Sequence, residues 1–141
     1  MPLQRLTLAE FGLAYAVALV ATALLDGLWL GWLARDLYRR EIGDLMADPI
    51  RIGPAVLFYV LYPLGLVYLA LQPPPPAVLD AALRAAVVGL VAYGAYDLTN
   101  LATLRGWSAR LCLVDMAWGT VASALAGTLA HLVAVGSAAP R

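Results

Sequence analysis

The sequence predicts an all-α membrane protein, a four-transmembrane-helix bundle, and three observations lead there. Of its 141 residues, 63% are hydrophobic and only 13% are charged, the composition of a lipid-embedded chain rather than of a water-soluble one. Charge is scarce over stretches of about 20 residues, the length that crosses roughly 30 Å of hydrocarbon. Those stretches are too long and too continuously apolar for barrel strands, and in lipid a helix satisfies its own backbone hydrogen bonds. One integral membrane domain over residues 1–141 follows.

The first span is expected over residues 11–33. The segment before it carries only Arg5 and Glu10 as charges, and further apolar runs follow, which favours a retained span over a cleaved signal peptide. Residues 35–48 come next. Tyr38, Ile42, Leu45 and Met46 share one helical face, with Arg39, Arg40, Glu41 and Asp44 over the rest. This pattern fits a short interfacial helix ending near Asp48-Pro49, or a charged loop continuing the first helix.

The second span is expected over residues 52–71, stopped by the prolines at 73–76, which remove backbone donors and stiffen the turn. The third and fourth spans are expected over 81–104 and 111–135, as an antiparallel hairpin joined by a short connection around Trp107 and Ser108. Gly119, Ser123 and Gly127 on the fourth helix, and Ala85 and Gly89 on the third, recur every four residues. Small side chains at that spacing let helices approach closely, either inside one subunit or in a homo-oligomer.

All nine basic side chains are Arg and the formal net charge is zero, so no basic face large enough to track a nucleic acid exists. Arg35, Arg39, Arg40, Arg51, Arg105 and Arg110 fall in the first and third connections; Arg5, Arg84 and Arg141 fall on the other side. The positive-inside rule then puts both connections in the cytoplasm and both termini outside. Cys112 is the only cysteine, which excludes an intrachain disulfide and a multi-thiolate metal site and leaves it a small packing residue near a membrane face.

Against this background Asp26, Asp97 and Asp115 stand out, because spanning a bilayer requires none of them. Each mid-membrane Asp opposes insertion by roughly 2.5–3.5 kcal/mol. Asp26 lies seven residues before Leu33, Asp97 seven before Leu104, and Asp115 four after Leu111. At a rise of about 1.5 Å per residue, all three reach one layer about 6–11 Å inside the same membrane face. Tyr59 and Tyr62 of the second span reach it too.

Trp29, Asn100 and Trp118 each follow an acid by three residues and share its helix face, and Tyr93 precedes Asp97 by four. The hairpin is expected to set Asn100 level with Asp115 and Asp97 level with Trp118. Crowded carboxyl groups in a dry layer favour a shared proton. Arg35 or Arg105 could instead reach in from the interface. No His lies in this layer to favour zinc or iron, and no metal or other cofactor is expected. His131 falls near the opposite face as an interfacial polar residue. The bland reading makes the acids interhelical glue, yet membrane hydrogen bonds average under about 1 kcal/mol and poorly offset three insertion penalties. Trp29 and Trp118 serve equally well as packing groups or pocket lining.

The segments Leu25-Asp26-Gly27-Leu28-Trp29-Leu30-Gly31, Phe58-Tyr59-Val60-Leu61-Tyr62, Tyr93-Gly94-Ala95-Tyr96-Asp97-Leu98-Thr99-Asn100-Leu101-Ala102-Thr103 and Val114-Asp115-Met116-Ala117-Trp118-Gly119-Thr120 together resemble a family of small bacterial predicted membrane proteins, domain of unknown function 2177. The resemblance runs from about Tyr15 to Leu132, and the third-helix segment is its most specific part. It implies a four-helix protein of the bacterial inner membrane and brings no activity with it.

Three functions fit the residues. The first is a pocket near the cytoplasmic face that binds or transports a small cationic or amphiphilic ligand with proton coupling, lined by Asp26, Asp97, Asn100, Asp115, Tyr59, Tyr62, Tyr93, Trp29 and Trp118. The second is an enzyme acting on a lipid or isoprenoid by Asp acid/base chemistry. The third is an accessory subunit without a cavity. Membrane lipids are the expected surroundings in each.

Overall fold

A computed structural model describes residues 5–136; Met1 and Arg141, the latter part of the arginine count, lie outside the described residues. All regular structure among them is helical. Helix α1 (Leu8–Leu28) starts three residues before the expected Phe11 because Thr7 and Glu10 form a capping box. The Glu10 amide donates to the Thr7 hydroxyl at 3.2 Å and the Thr7 amide donates to the Glu10 carboxylate at 2.7 Å, satisfying two otherwise unpaired donors. The helix then loosens into a π-turn, Trp29–Leu33, closed by the Ala34 amide donating to the Trp29 carbonyl at 2.7 Å.

After Ala34 the chain enters a separate helix α2 (Arg35–Ile42) and a single 3-10 turn, Gly43–Leu45. Of the two readings of this segment, the separate helix holds, but it is shorter than residues 35–48. Tyr38 is half-buried and Ile42 buried, whereas Leu45 and Met46 are exposed. The shared face breaks because the α-helix gives out at Gly43, whose backbone freedom disfavours continuing it.

Helix α3 (Ile52–Leu71) has the expected bounds, α4 (Val78–Thr103) begins three residues early, and α5 (Ala109–Gly136) begins two early. Four segments are long and apolar enough to cross a membrane: Leu8–Leu33, Ile52–Leu71, Val78–Thr103 and Ala109–Ala134. Their outer surface carries large apolar side chains such as Leu24, Val56, Leu69, Leu83 and Leu113, which suits acyl chains and not water.

The bundle divides along its length. The half away from α2 holds an apolar core of Ala14 and Ala18 on α1, Leu66, Val67 and Ala70 on α3, Ala81 and Ala85 on α4, and Ala126 and Ala130 on α5. Alanine at so many contacts brings backbones close, which maximises dispersion where no hydrophobic force separates protein from lipid. In α3 the buried residues begin at Pro63, and the turns from Ile52 to Phe58 are exposed. The half near α2 is therefore less tightly closed, and the acids lie there.

Register between α4 and α5 fixes how those acids meet. A side chain added at Gly127 would strike Ala85, one at Gly89 would strike Ser123, and one at Gly119 would strike the Tyr93 ring, all closer than 3.0 Å. Each step of four along α4 is thus matched by a step of four back along α5. The small-residue stripes face one another inside one chain. Continuing the same step places Asp97 opposite Asp115, and their carboxyl groups adjoin. The expected pairs, Asn100 with Asp115 and Asp97 with Trp118, are displaced by three residues, because interlocking of small and large side chains sets the register and the connecting loop does not.

Candidate functional site

The half of the bundle beside α2 contains a cavity of about 580 Å³, with walls from all five helices. Asp26, Trp29 and Leu30 enter from α1 and its π-turn, Tyr38 from α2, Phe58 and Tyr59 from α3, Tyr93 and Tyr96 from α4, and Asp115 and Trp118 from α5. Two carboxyl groups and seven aromatic rings therefore face one space, and no Arg among the described residues lines it.

Asp26 is 4% exposed and is held entirely as an acceptor. The Tyr59 hydroxyl donates to Oδ2 at 3.2 Å, the Tyr93 hydroxyl lies 3.1 Å from Oδ2 and 3.4 Å from Oδ1, and the Trp118 indole N–H donates to Oδ1 at 2.9 Å. Three helices are tied to a fourth through one carboxyl group. A carboxylate has about four lone-pair sites, and these three donors engage three of them. Trp118 also stacks on Trp29, with centroids 4.4 Å apart and planes within 3°. The π-turn of α1 contributes Trp29 to that stack; such turns recur at functional sites because they re-aim a side chain within a continuing helix.

Tyr93 reaches Asp26 only because Gly119 leaves room for its ring. Gly119→Ala drives a methyl group into that ring, so the hydroxyl should lose Asp26 and stability should fall by about 1–3 kcal/mol, as for other overpacked sites. Equilibrium unfolding in mixed detergent micelles measures this, and unchanged stability would contradict the packing described.

Asp115, 4% exposed, accepts a hydrogen bond from the Tyr38 hydroxyl through Oδ1. Burial and the adjoining carboxyl group hold the Tyr38 phenol well above its ordinary range, so it remains a donor throughout physiological pH. Helix α2 is fastened to the α4–α5 connection as well: the Ser108 hydroxyl donates to Glu41, which also pairs with Arg110 at 3.8 Å. Asp97 lies behind Asp115 and outside the cavity wall. It is completely buried, neither carboxyl oxygen meets a donor in full hydrogen-bonding geometry although the Trp107 indole lies near, and the group set against it is another acid. Two carboxylates would have no bond to make there; with one proton between them they have one.

A family model described as predicted membrane protein, DUF2177, matches residues 11–132. The chain belongs to that family. No curated protein and no solved structure matches it.

In this family member, Asp26, Asp115, Trp29, Tyr59, Tyr93 and Trp118 come together around the cavity, and Asp97 adjoins it through Asp115. Tyr62 does not line it. Its hydroxyl pairs with that of Ser123 at 2.5 Å and its ring stacks on Phe58, so it stands behind the wall. Asn100 makes no hydrogen bond to any of the three acids, because the register carries it past Asp115 toward the loop.

Arg35 and Arg105 are exposed and do not reach in; tyrosine hydroxyls and an indole N–H take the donor role expected of them. Cys112 is buried, its thiol donating to the Asp97 carbonyl at 3.3 Å. His131 is buried at the far end of α5 and does not line the cavity.

Tyr38, Phe58, Tyr96 and Trp107 escaped sequence reasoning. Tyr96 and Trp107 meet edge to face, 5.5 Å between centroids, with the Trp107 indole near Asp97. Tyr38 had a legible signal, since a tyrosine on the apolar face of a segment just outside a layer of acids is placed to donate into it.

Proposed function

We propose that this protein binds a small organic or amphiphilic cation in the cavity between Asp26 and Asp115, and exchanges it for the proton held between Asp97 and Asp115. The observation that carries the reading is the lining: two acids, seven aromatic rings and, among the described residues, no basic side chain. A cation entering such a space is attracted by net negative charge in a low dielectric and by the faces of the rings. Its arrival beside Asp115 makes a shared proton unfavourable, and the proton leaves. Binding linked in this way to proton release is the elementary step of an exchanger.

Acid/base catalysis on a lipid is less well supported, because Asp26 is held by three donors and is not placed to move a proton. An accessory role is less well supported because a subunit that only packs has no need of a cavity. The six arginines on the α2 side favour a cytoplasmic opening in a bacterial inner membrane.

The test is direct titration of protein in lipid nanodiscs with benzyltrimethylammonium in weakly buffered solution, following heat and released protons together. Saturable binding with about one proton released per cation is expected. Binding no stronger than that of benzyl alcohol, a neutral aromatic of related shape, would reject the cation pocket; binding without proton release would reject the exchange.

A further inference from the structure

The geometry points to a fully N-alkylated ammonium, in preference to a primary amine, as the ligand class of this cavity; the inference rests on the cation reading above and adds to it the chemistry of the head group. A primary ammonium brings three N–H donors, each of which needs an acceptor once water is left behind. The strongest acceptors in the cavity are already engaged. Both oxygens of Asp26 receive the Tyr59, Tyr93 and Trp118 donors. Asp115 is turned to the Tyr38 hydroxyl on one side and to Asp97 on the other. An incoming ammonium, with three N–H groups to satisfy, is left with one remaining lone pair of Asp26 and neutral phenol oxygens that are themselves donating.

A quaternary ammonium has no N–H to satisfy. What it requires is charge and polarisable surface, which the acids supply at a distance and the rings at contact. The aromatic residues come from every wall: Trp29, Tyr38, Phe58, Tyr59, Tyr93, Tyr96 and Trp118. The space of about 580 Å³ exceeds a trimethylammonium group, leaving room for an apolar substituent against Leu30, Pro54 and Ala55. Asp97, wholly buried and set against Asp115, adds a third acid beside the cavity.

The experiment compares benzyltrimethylammonium, benzylammonium and benzyl alcohol on the wild-type protein in nanodiscs at neutral pH, by calorimetric competition. The quaternary cation should bind at least about tenfold more tightly than the primary one. Tyr59→Phe keeps a ring in the wall and frees one site on Asp26 Oδ2; the primary amine can then use it, and the ratio should narrow by about fivefold. Equal or tighter wild-type binding of benzylammonium overturns the head-group inference while leaving the cation pocket standing. A ratio unmoved by Tyr59→Phe also overturns it, since occupancy of Asp26 would then not be the cause. If neither cation outcompetes benzyl alcohol, the pocket reading and this refinement fall together.

Discussion

Replacing Asp26 by Leu is expected to cost about 3–5 kcal/mol of stability and to leave little folded protein, because it strands donors from α3, α4 and α5 at once. Each of those groups is placed by its helix to meet Asp26, and an apolar side chain offers none of them an acceptor. Asp26→Asn separates this structural role from the electrostatic one. Its amide oxygen can still accept from Trp118, and its NH₂ group can donate to the Tyr59 and Tyr93 oxygens, so the fold should persist.

The charge is gone, however. At about 5 Å and an effective dielectric near 20, two unit charges interact by roughly 3 kcal/mol, so benzyltrimethylammonium should bind about a hundredfold more weakly to Asp26→Asn. Unfolding in mixed micelles and calorimetric titration measure the two effects. A stable Asp26→Leu protein would show that the three donors are satisfied elsewhere; undiminished cation affinity in Asp26→Asn would remove Asp26 from the ligand's field.

Asp97→Asn should do the reverse and stabilise the protein, by about 1–3 kcal/mol. Asp97 is fully buried, neither oxygen meets a donor in full hydrogen-bonding geometry, and it faces an acid. An amide has nearly the same shape, carries no charge, and can donate to Asp115. Proton release on cation binding should vanish in the same variant, since no proton need be stored between an amide and a carboxylate. Gain of stability with loss of function is what a strained functional group predicts. Lower stability for Asp97→Asn would mean the acid is compensated, and proton release persisting in the variant would assign the proton to another group.

The number of spans and their approximate ends were legible because lipid leaves so few solutions. A run of about 20 apolar residues in a bilayer can only be a helix, and turn chemistry at the prolines after Leu71 stops it. That Asp26, Asp97 and Asp115 share one depth was also legible, since rise per residue is fixed once the spans are known. The register of α4 on α5 was written in the chain too. Ala85, Gly89, Tyr93 and Asp97 form one stripe of step four, and Asp115, Gly119, Ser123 and Gly127 form its antiparallel complement. Packed with Gly119 under the Tyr93 ring, the two stripes set acid against acid.

The sequence by itself determined a four-span helical protein with acids that lipid would reject unless they met protein, water or a ligand. Only the tertiary structure decided how they differ: Asp26 held by donors from three other helices, Asp115 capped from α2, and Asp97 buried behind it against that second acid. The reason is that depth follows from counting along one helix. Contact depends on rotation and on sliding between helices, and a slide of three residues, about 4.5 Å, exchanges every partner.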